Sequence, residues 1–145
     1  MRLVDKFGRA ITDLRISVTD RCNYKCVYCR SGNEGAIYGD LPFADYLRMA
    51  RLLVGLGIRK IRITGGEPLL RKGVVEFISE LAKLCPQGLN PGSFVAANGT
   101  AEAVPFQIDL AITTNGHLLA EMAKPLKDAG LRRVTVSMDA VDSSA

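Results

Sequence analysis

Residues 14–29 read LRISVTDRCNYKCVYC, an alternating apolar and polar stretch that runs directly into three cysteines. Leu14, Ile16 and Val18 fall on one side of the alternation, which predicts a strand at 14–19 with one apolar and one polar face. The same alternation predicts three further strands, at 60–64, 109–114 and 132–138. The fold must therefore leave one face of its sheet polar.

Helical periodicity separates these strands and sets the fold class. Apolar residues recur at helical spacing in 43–56, 72–84 and 118–129, and Pro125 is expected to bend or split the third helix. Strands that alternate with helices predict a parallel sheet. Parallel strands buried on both faces would be almost wholly apolar. We therefore expect an α/β fold, a partial (β/α) barrel of about four parallel strands and three crossover helices, whose polar interior takes a charged ligand. An open sheet with one wet face is the alternative.

The composition excludes several classes of protein. The chain has 145 residues, of which 48% are hydrophobic, enough for one domain with a core. No apolar run approaches the roughly 18 residues of a membrane span, and the start has no apolar signal region. We therefore expect a cytoplasmic protein with no membrane partner. A net charge of +4 without a basic block, and the absence of tryptophan, argue against a nucleic-acid partner.

The three cysteines carry the strongest chemical signal. Cys22, Cys26 and Cys29 form a Cys-x3-Cys-x2-Cys run. Iron–sulfur clusters usually take four cysteine ligands, so three would leave one iron open to a substrate or cofactor. A zinc site is the alternative, with its fourth ligand from His117, Cys85 or a carboxylate, but paired two-residue knuckles are missing. Disulfides are disfavoured because four cysteines in 145 residues are a sparse framework.

Chemistry-bearing residues also follow the other predicted strands. Binding sites of β/α barrels lie at the carboxyl ends of the strands. Gly65-Gly66-Glu67 follows the second strand, Asn115-Gly116 follows the third, and Ser137 lies at the end of the fourth. A glycine pair lets backbone approach a ligand closely, and Glu67 can accept a hydrogen bond from an ammonium group. We expect these residues to share one rim with the cysteines.

Two of these motifs resemble a known family. The segments 22–29 and 64–68, CNYKCVYC and TGGEP, resemble the radical S-adenosylmethionine superfamily. More narrowly, the chain is similar to the GTP 3′,8-cyclases, lyases that begin molybdenum cofactor biosynthesis. That narrower resemblance is carried by 13–23, 60–64, 113–116 and 129–134. The resemblance covers roughly 3–84 and 107–143.

The resemblance implies a reductive mechanism and a set of site residues. Cys22, Cys26 and Cys29 would hold a 4Fe–4S cluster, and S-adenosylmethionine would chelate the open iron. Its cleavage would give a 5′-deoxyadenosyl radical that attacks the ribose of GTP. The expected S-adenosylmethionine contacts are Tyr28, Gly66, Ser137 and Glu67. The expected GTP contacts are Arg15, Arg62 and Thr113, of which the two arginines also face the predicted polar interior.

The chain departs from that family in ways that shape further expectations. We expect 1–145 to be the N-terminal part of a radical SAM core domain, with 86–106 a loop insertion and the region of a second cysteine cluster absent. Cys85 is expected to be a spare thiol, and His117 a first-turn helix residue. Expected partners are an electron donor such as flavodoxin or ferredoxin, and either a second copy or a complementing C-terminal half. Alternatives are a radical SAM enzyme acting on a peptide or other substrate, and a non-catalytic iron–sulfur module.

Overall fold

The computed structural model describes residues 2–29, 40–84 and 108–138. Its strands are β1 (Asp13–Ser17), β2 (Lys60–Thr64), β3 (Asp109–Thr114) and β4 (Arg133–Val136). Its helices are α1 (Phe43–Gly55), α2 (Val74–Ala82) and α3 (Leu119–Asp128), with a short 3-10 helix at Pro68–Leu70. The predicted strands and helices are confirmed. The segment 86–106, Cys85 and most of the stretch between the cysteines and α1 lie outside the described residues.

The four strands form one parallel sheet in the order β1-β2-β3-β4. Each strand therefore pairs with its neighbour in sequence, and α1, α2 and α3 make the crossovers between them. A sequential order is the order of a β/α barrel, whereas a doubly wound sheet reverses its order at a switch point. The expected partial (β/α) barrel is confirmed.

The apolar face of the sheet packs against the helices. Strand residues Ile16, Ile63 and Ile112 join Phe77 and Leu81 of α2 in one core in which each is at most 2% exposed. The helical spacing of apolar residues in α1 and α2 is confirmed by their burial, which includes Ala50 and Val54 of α1 and Val74, Phe77, Ile78 and Leu81 of α2. Among the described residues, no helix is long and apolar enough to cross a membrane.

Strand β4 differs from the prediction for its side chains. Val134, Val136 and Met138 were expected to face helices, as the apolar residues of the other strands do, but they are 41%, 38% and 64% exposed. The physical reason is topological. Each crossover helix packs beside the strands that it connects, and within the described part of the chain no helix follows β4. The prediction for this strand's burial was wrong.

Helix α3 continues through Pro125. A bend or a split was expected at Pro125, and the split does not occur, because the helix runs unbroken from Leu119 to Asp128. Proline removes the hydrogen bond to the carbonyl group four residues earlier, that of Glu121. Both Glu121 and Pro125 are exposed, so water can satisfy that carbonyl group, while Leu126 remains only 1% exposed against the core.

Candidate functional site

Backbone hydrogen bonds join the loop that follows β1 to the loop that follows β2. The N–H of Gly66 donates to the carbonyl oxygen of Thr19 at 2.8 Å, and the N–H of Glu67 donates to that of Arg21 at 2.7 Å. Arg21 directly precedes Cys22, so the parallel pairing of the strands continues to the base of the cysteine loop. The second loop thereby fixes where the cysteine loop begins.

The glycine pair is required by this close contact. A Cβ atom on Gly65 would lie 2.4 Å from the carbonyl oxygen of Thr19, and one on Gly66 would lie 2.3 Å from that of Arg21. Gly65 also has a φ of 152°, which disfavours L side chains. The sequence suggested that the pair admits a ligand. The structure shows that it admits the neighbouring backbone.

Glu67 lies at the centre of the rim and is fully buried. Its Oε1 accepts hydrogen bonds from the N–H of Leu69 at 3.0 Å and the hydroxyl of Thr114 at 2.8 Å. Its Oε2 accepts from the N–H of Asn115 at 2.7 Å. The carboxyl group thus ties the loop after β2 to the end of β3. Its expected contact with the ammonium group of a cofactor stays a prediction.

Asn115 connects the loop after β3 to the cysteine loop. Its Nδ2 donates to Oδ1 of Asn23 at 2.8 Å and lies 3.9 Å from Sγ of Cys22, while its Oδ1 accepts from the N–H of His117 at 3.0 Å. His117 lies in the turn before α3, so its expected place inside the first helical turn was wrong. Its exposed ring meets Tyr24 of the cysteine loop edge-on, with 5.9 Å between centroids.

The three cysteines lie on one loop at the carboxyl end of β1, and each is a partly exposed thiol. The N–H of Tyr24 donates to Sγ of Cys22 at 3.4 Å, and the N–H of Cys29 donates to the carbonyl of Cys26 at 3.0 Å. Within 2–29, 40–84 and 108–138, no three His, Cys, Asp or Glu side chains stand close enough together to hold a metal ion. The residues present fit a cluster through their chemistry. One loop carries three cysteines, whose soft sulfur atoms are the ligands that iron–sulfur clusters take, and one of these sulfurs also faces N–H donors.

The polar face of the sheet carries two rows of side chains. Register places Arg15 beside Arg62, Arg62 beside Ala111, and Ala111 beside Arg133, which makes one row across all four strands. Two residues further along each strand is a row of hydroxyl groups, in which Ser17 pairs with Thr64 and Thr113 pairs with Thr135. At about 3.3 Å per residue, the hydroxyl row is roughly 7 Å closer to the cysteine rim.

The arginine row lines a cavity of about 180 Å³. Its charged lining residues are Asp13, Arg15, Lys60, Arg62 and Arg133. Lys60 lies 3.9 Å from Asp13, and Arg133 pairs with Asp109 at 2.7 Å. Arg15 and Arg62 make no ion pair with any residue of the described part of the chain.

Sequence reasoning missed Lys60 and Arg133 as parts of this cavity. Lys60 precedes Arg62 by two residues and therefore shares its face, which was the available signal. Arg133 likewise precedes Thr135 by two residues and shares its face, because both alternate with the apolar Val134. Its position beside Ala111 depends on the register between β3 and β4, and that register cannot be predicted from the sequence of either strand alone.

The other expected site residues also lie along this face and its rim. Ser137 is exposed just after β4, and its N–H donates to the carbonyl oxygen of Thr114 at 2.9 Å. Tyr28 is 72% exposed on the cysteine loop. Thr113 is partly buried in the hydroxyl row. One edge of the sheet therefore carries the cysteine loop, the loop with Gly65 and Gly66, Asn115 and Ser137, as the sequence predicted.

Comparison with known proteins gives relatives named GTP 3′,8-cyclase. The chain is 45% identical over 144 residues to the GTP 3′,8-cyclase of Geobacter sulfurreducens, with 97% of this chain and 38% of that protein covered. It is 44% identical over 143 residues to the GTP 3′,8-cyclase of Clostridium acetobutylicum, with 97% of this chain and 39% of that protein covered. The chain thus spans less than half the length of these relatives.

Solved structures share the fold at low sequence identity. BtrN in complex with AdoMet and 2-DOIA matches with a TM-score of 0.63 and 19% identity, covering 92% of this chain and 48% of that one. Streptococcus suis SuiB bound to S-adenosylmethionine matches with a TM-score of 0.62 and 21% identity, covering 91% and 26%. The family model of the Radical SAM superfamily matches residues 16–144. This chain, with its cysteine loop at the rim of a partial barrel, belongs to the Radical SAM superfamily.

Proposed function

We propose that this chain is the N-terminal part of the catalytic domain of a GTP 3′,8-cyclase, the lyase that begins molybdenum cofactor biosynthesis. The identity of 45% to a curated cyclase supports the proposal. The observation that carries it is the arginine row. Arg15 and Arg62 stand side by side below the cysteine rim, with no carboxylate partner among the described residues.

The cysteine loop is the place for the cluster. Cys22, Cys26 and Cys29 would hold a 4Fe–4S cluster, which when bound supplies the electron that cleaves S-adenosylmethionine to methionine and a 5′-deoxyadenosyl radical. The N–H of Gly66 is already used by Thr19, so the carbonyl oxygen of Gly66 is the group that we assign to the ammonium of S-adenosylmethionine. Glu67 acts by holding the rim loops in place.

The other proposed contacts with S-adenosylmethionine are made by residues at the same edge of the sheet. Tyr28 on the cysteine loop and Ser137 after β4 lie at the same rim, where backbone and hydroxyl groups can bind the adenosyl portion of S-adenosylmethionine. In this proposal the cysteine loop and the end of β4 would together bind S-adenosylmethionine.

The arginine row is the place for the phosphates of GTP. Like charges on neighbouring strands repel each other, so the adjacent guanidinium groups of Arg15 and Arg62 are stabilised when an anion lies between them. Guanidinium forks match phosphate oxygens in bidentate geometry. Lys60 and Arg133 line the same cavity, but each has a carboxylate neighbour, Asp13 and Asp109, so Arg15 and Arg62 are the cations left for the phosphates. Thr113, one row closer to the rim, would bind the nucleoside portion.

A binding experiment tests the substrate. Arg15→Gln and Arg62→Gln should each weaken GTP binding in calorimetry about tenfold or more, since a hydrogen-bonded charge contact contributes roughly 1.5–3 kcal/mol. Arg48→Gln on the exposed side of α1 is the matched control and should bind GTP as the unchanged chain does. Unchanged affinity in both arginine variants would refute GTP as the substrate and favour another radical SAM reaction, for example on a peptide.

An activity assay tests the chemistry separately. After anaerobic loading with iron and sulfide, cleavage of S-adenosylmethionine should release 5′-deoxyadenosine. We expect cyclised GTP only when the rest of a cyclase is supplied. Cyclised GTP from this chain alone would contradict the expectation that the chain needs the rest of a cyclase for turnover. A cluster signal that S-adenosylmethionine does not change would favour a non-catalytic iron–sulfur module.

Partners and compartment are part of the same proposal. A flavodoxin or ferredoxin is the electron donor that we expect, and the cytoplasm is the compartment. A complementing C-terminal half or a second copy should cover the side of β4, where Val134 and Val136 are exposed. Light scattering of the purified chain, alone and mixed with the remaining part of a cyclase, measures this assembly.

A further inference from the structure

The side chain of Asn115 bridges two loops beside a cysteine sulfur. Its Nδ2 lies 3.9 Å from Sγ of Cys22 and donates to Oδ1 of Asn23 at 2.8 Å. The same sulfur accepts from the N–H of Tyr24 at 3.4 Å. Hydrogen bonds to sulfur are longer than those to oxygen, so Sγ of Cys22 faces two N–H donors, one from its own loop and one from the loop after β3.

Two further hydrogen bonds fix the position of this amide. The N–H of Asn115 donates to Oε2 of Glu67 at 2.7 Å, and its Oδ1 accepts from the N–H of His117 at 3.0 Å. Glu67 is itself fully buried and held by Thr114 and Leu69. The backbone of Asn115 and one end of its side chain are therefore both anchored. The side-chain N–H groups point towards the cysteine loop, at Asn23 and Cys22.

A donor in this position has a defined electrostatic effect. Hydrogen bonds to cluster sulfurs withdraw negative charge from the metal and so favour the reduced state. Given the cluster site proposed above, we infer that Asn115 is a positioning residue that orients Sγ of Cys22 and raises the reduction potential of the cluster. Glu67 contributes through Asn115, because it holds the amide in place.

The test replaces the amide with a group of the same shape. Asn115→Asp keeps the acceptor for His117 but removes both side-chain donors and brings a carboxylate close to Sγ of Cys22. The chain is loaded with iron and sulfide without oxygen, and the midpoint potential is measured by titration monitored by electron paramagnetic resonance. We expect a shift to more negative potential and faster loss of iron to a chelator.

A control variant separates the contact of Asn115 with the sulfur of Cys22 from its hydrogen bond to Asn23. Asn23→Ala removes the oxygen that Asn115 also contacts but leaves the amide beside Cys22, and it should keep the midpoint potential of the unchanged chain. If Asn115→Asp does not fold, as judged by circular dichroism, Asn115→Ser removes the donor without adding charge. It should shift the potential in the same direction by a smaller amount.

The outcomes separate this inference from the function on which it rests. A cubane spectrum in the unchanged chain, together with an unaltered potential in both Asn115 variants, would overturn the role of Asn115 and leave the cluster site standing. An equal shift in Asn23→Ala would also overturn it, because the loop tie and not the sulfur contact would then matter. Absence of any cluster in the unchanged chain would overturn both.

Discussion

A Cβ atom on Gly66 would lie 2.3 Å from the carbonyl oxygen of Arg21. That oxygen belongs to the residue before Cys22 and already accepts the N–H of Glu67 at 2.7 Å. The contact is between two backbones, so no side chain can rotate away to make room. The spacing between the two loops is therefore set by the absence of a side chain at position 66.

Gly66→Ala should push the two loops apart. We expect it to lower the free energy of unfolding by roughly 1–3 kcal/mol, the usual cost of overpacking, and to reduce the iron bound per chain after reconstitution. Gly55→Ala is the control, because a Cβ atom there meets nothing within 4 Å and alanine suits the end of α1. Equal iron content in the two variants would contradict the argument.

Glu67→Ala should leave three donors without their acceptor. The N–H groups of Leu69 and Asn115 and the hydroxyl of Thr114 would each lose a hydrogen bond in a buried place. At about 1 kcal/mol for each bond, urea denaturation should show a loss of roughly 3 kcal/mol. Glu76→Ala on the exposed side of α2 should change stability far less. If the two variants lost the same amount, Glu67 would not be a structural tie.

Arg71→Lys should weaken the contacts that join Arg71 to Val18, Leu41 and Phe43. The guanidinium group of Arg71 donates to the carbonyl oxygens of Val18 and Leu41 and lies 3.8 Å from the ring centroid of Phe43. A lysine ammonium cannot reproduce the planar fork and the stacking together. We expect a loss of roughly 1–3 kcal/mol in thermal unfolding. Lys72→Arg, at the next, exposed position, should be neutral.

Pro125→Ala should stabilise the chain. Alanine restores an N–H donor for the carbonyl group of Glu121 inside α3 and removes the steric strain of the proline ring. Proline in a helix interior costs about 3 kcal/mol relative to alanine, so we expect a gain of roughly 1–3 kcal/mol in thermal unfolding. Ala120→Gly, in the first turn of the same helix and also exposed, should act in the opposite direction. A loss of stability in Pro125→Ala would contradict this prediction and show that packing of the proline ring stabilises the helix.

The fold was predictable because its signals are local. Alternation within each strand and helical spacing between strands need only neighbouring residues, and they located β2 and β3 at their observed bounds. The rim was predictable for the same reason, since parallel strands bring their carboxyl ends to one edge. Residues such as Cys22 and Asn115 therefore had to meet there.

The part that could not be predicted depends on distant contacts. Glu67 suggested a ligand contact because its acceptors are visible in the sequence, but its donors Thr114 and Asn115 lie 47 and 48 residues away. Arg71 reaches Val18 across 53 residues. The exposure of β4 follows from which helix covers which strand. None of these contacts can be predicted from the pattern of neighbouring residues.

The alanine within the arginine row has a consequence for molecular shape. Ala111 separates Arg62 from Arg133, so these two cations stand two strands apart, about 10 Å at the usual strand spacing. The small methyl group leaves a notch between them. For the anion site proposed above, we therefore expect an elongated polyanion, which can reach both cations, to bind more tightly than a lone phosphate.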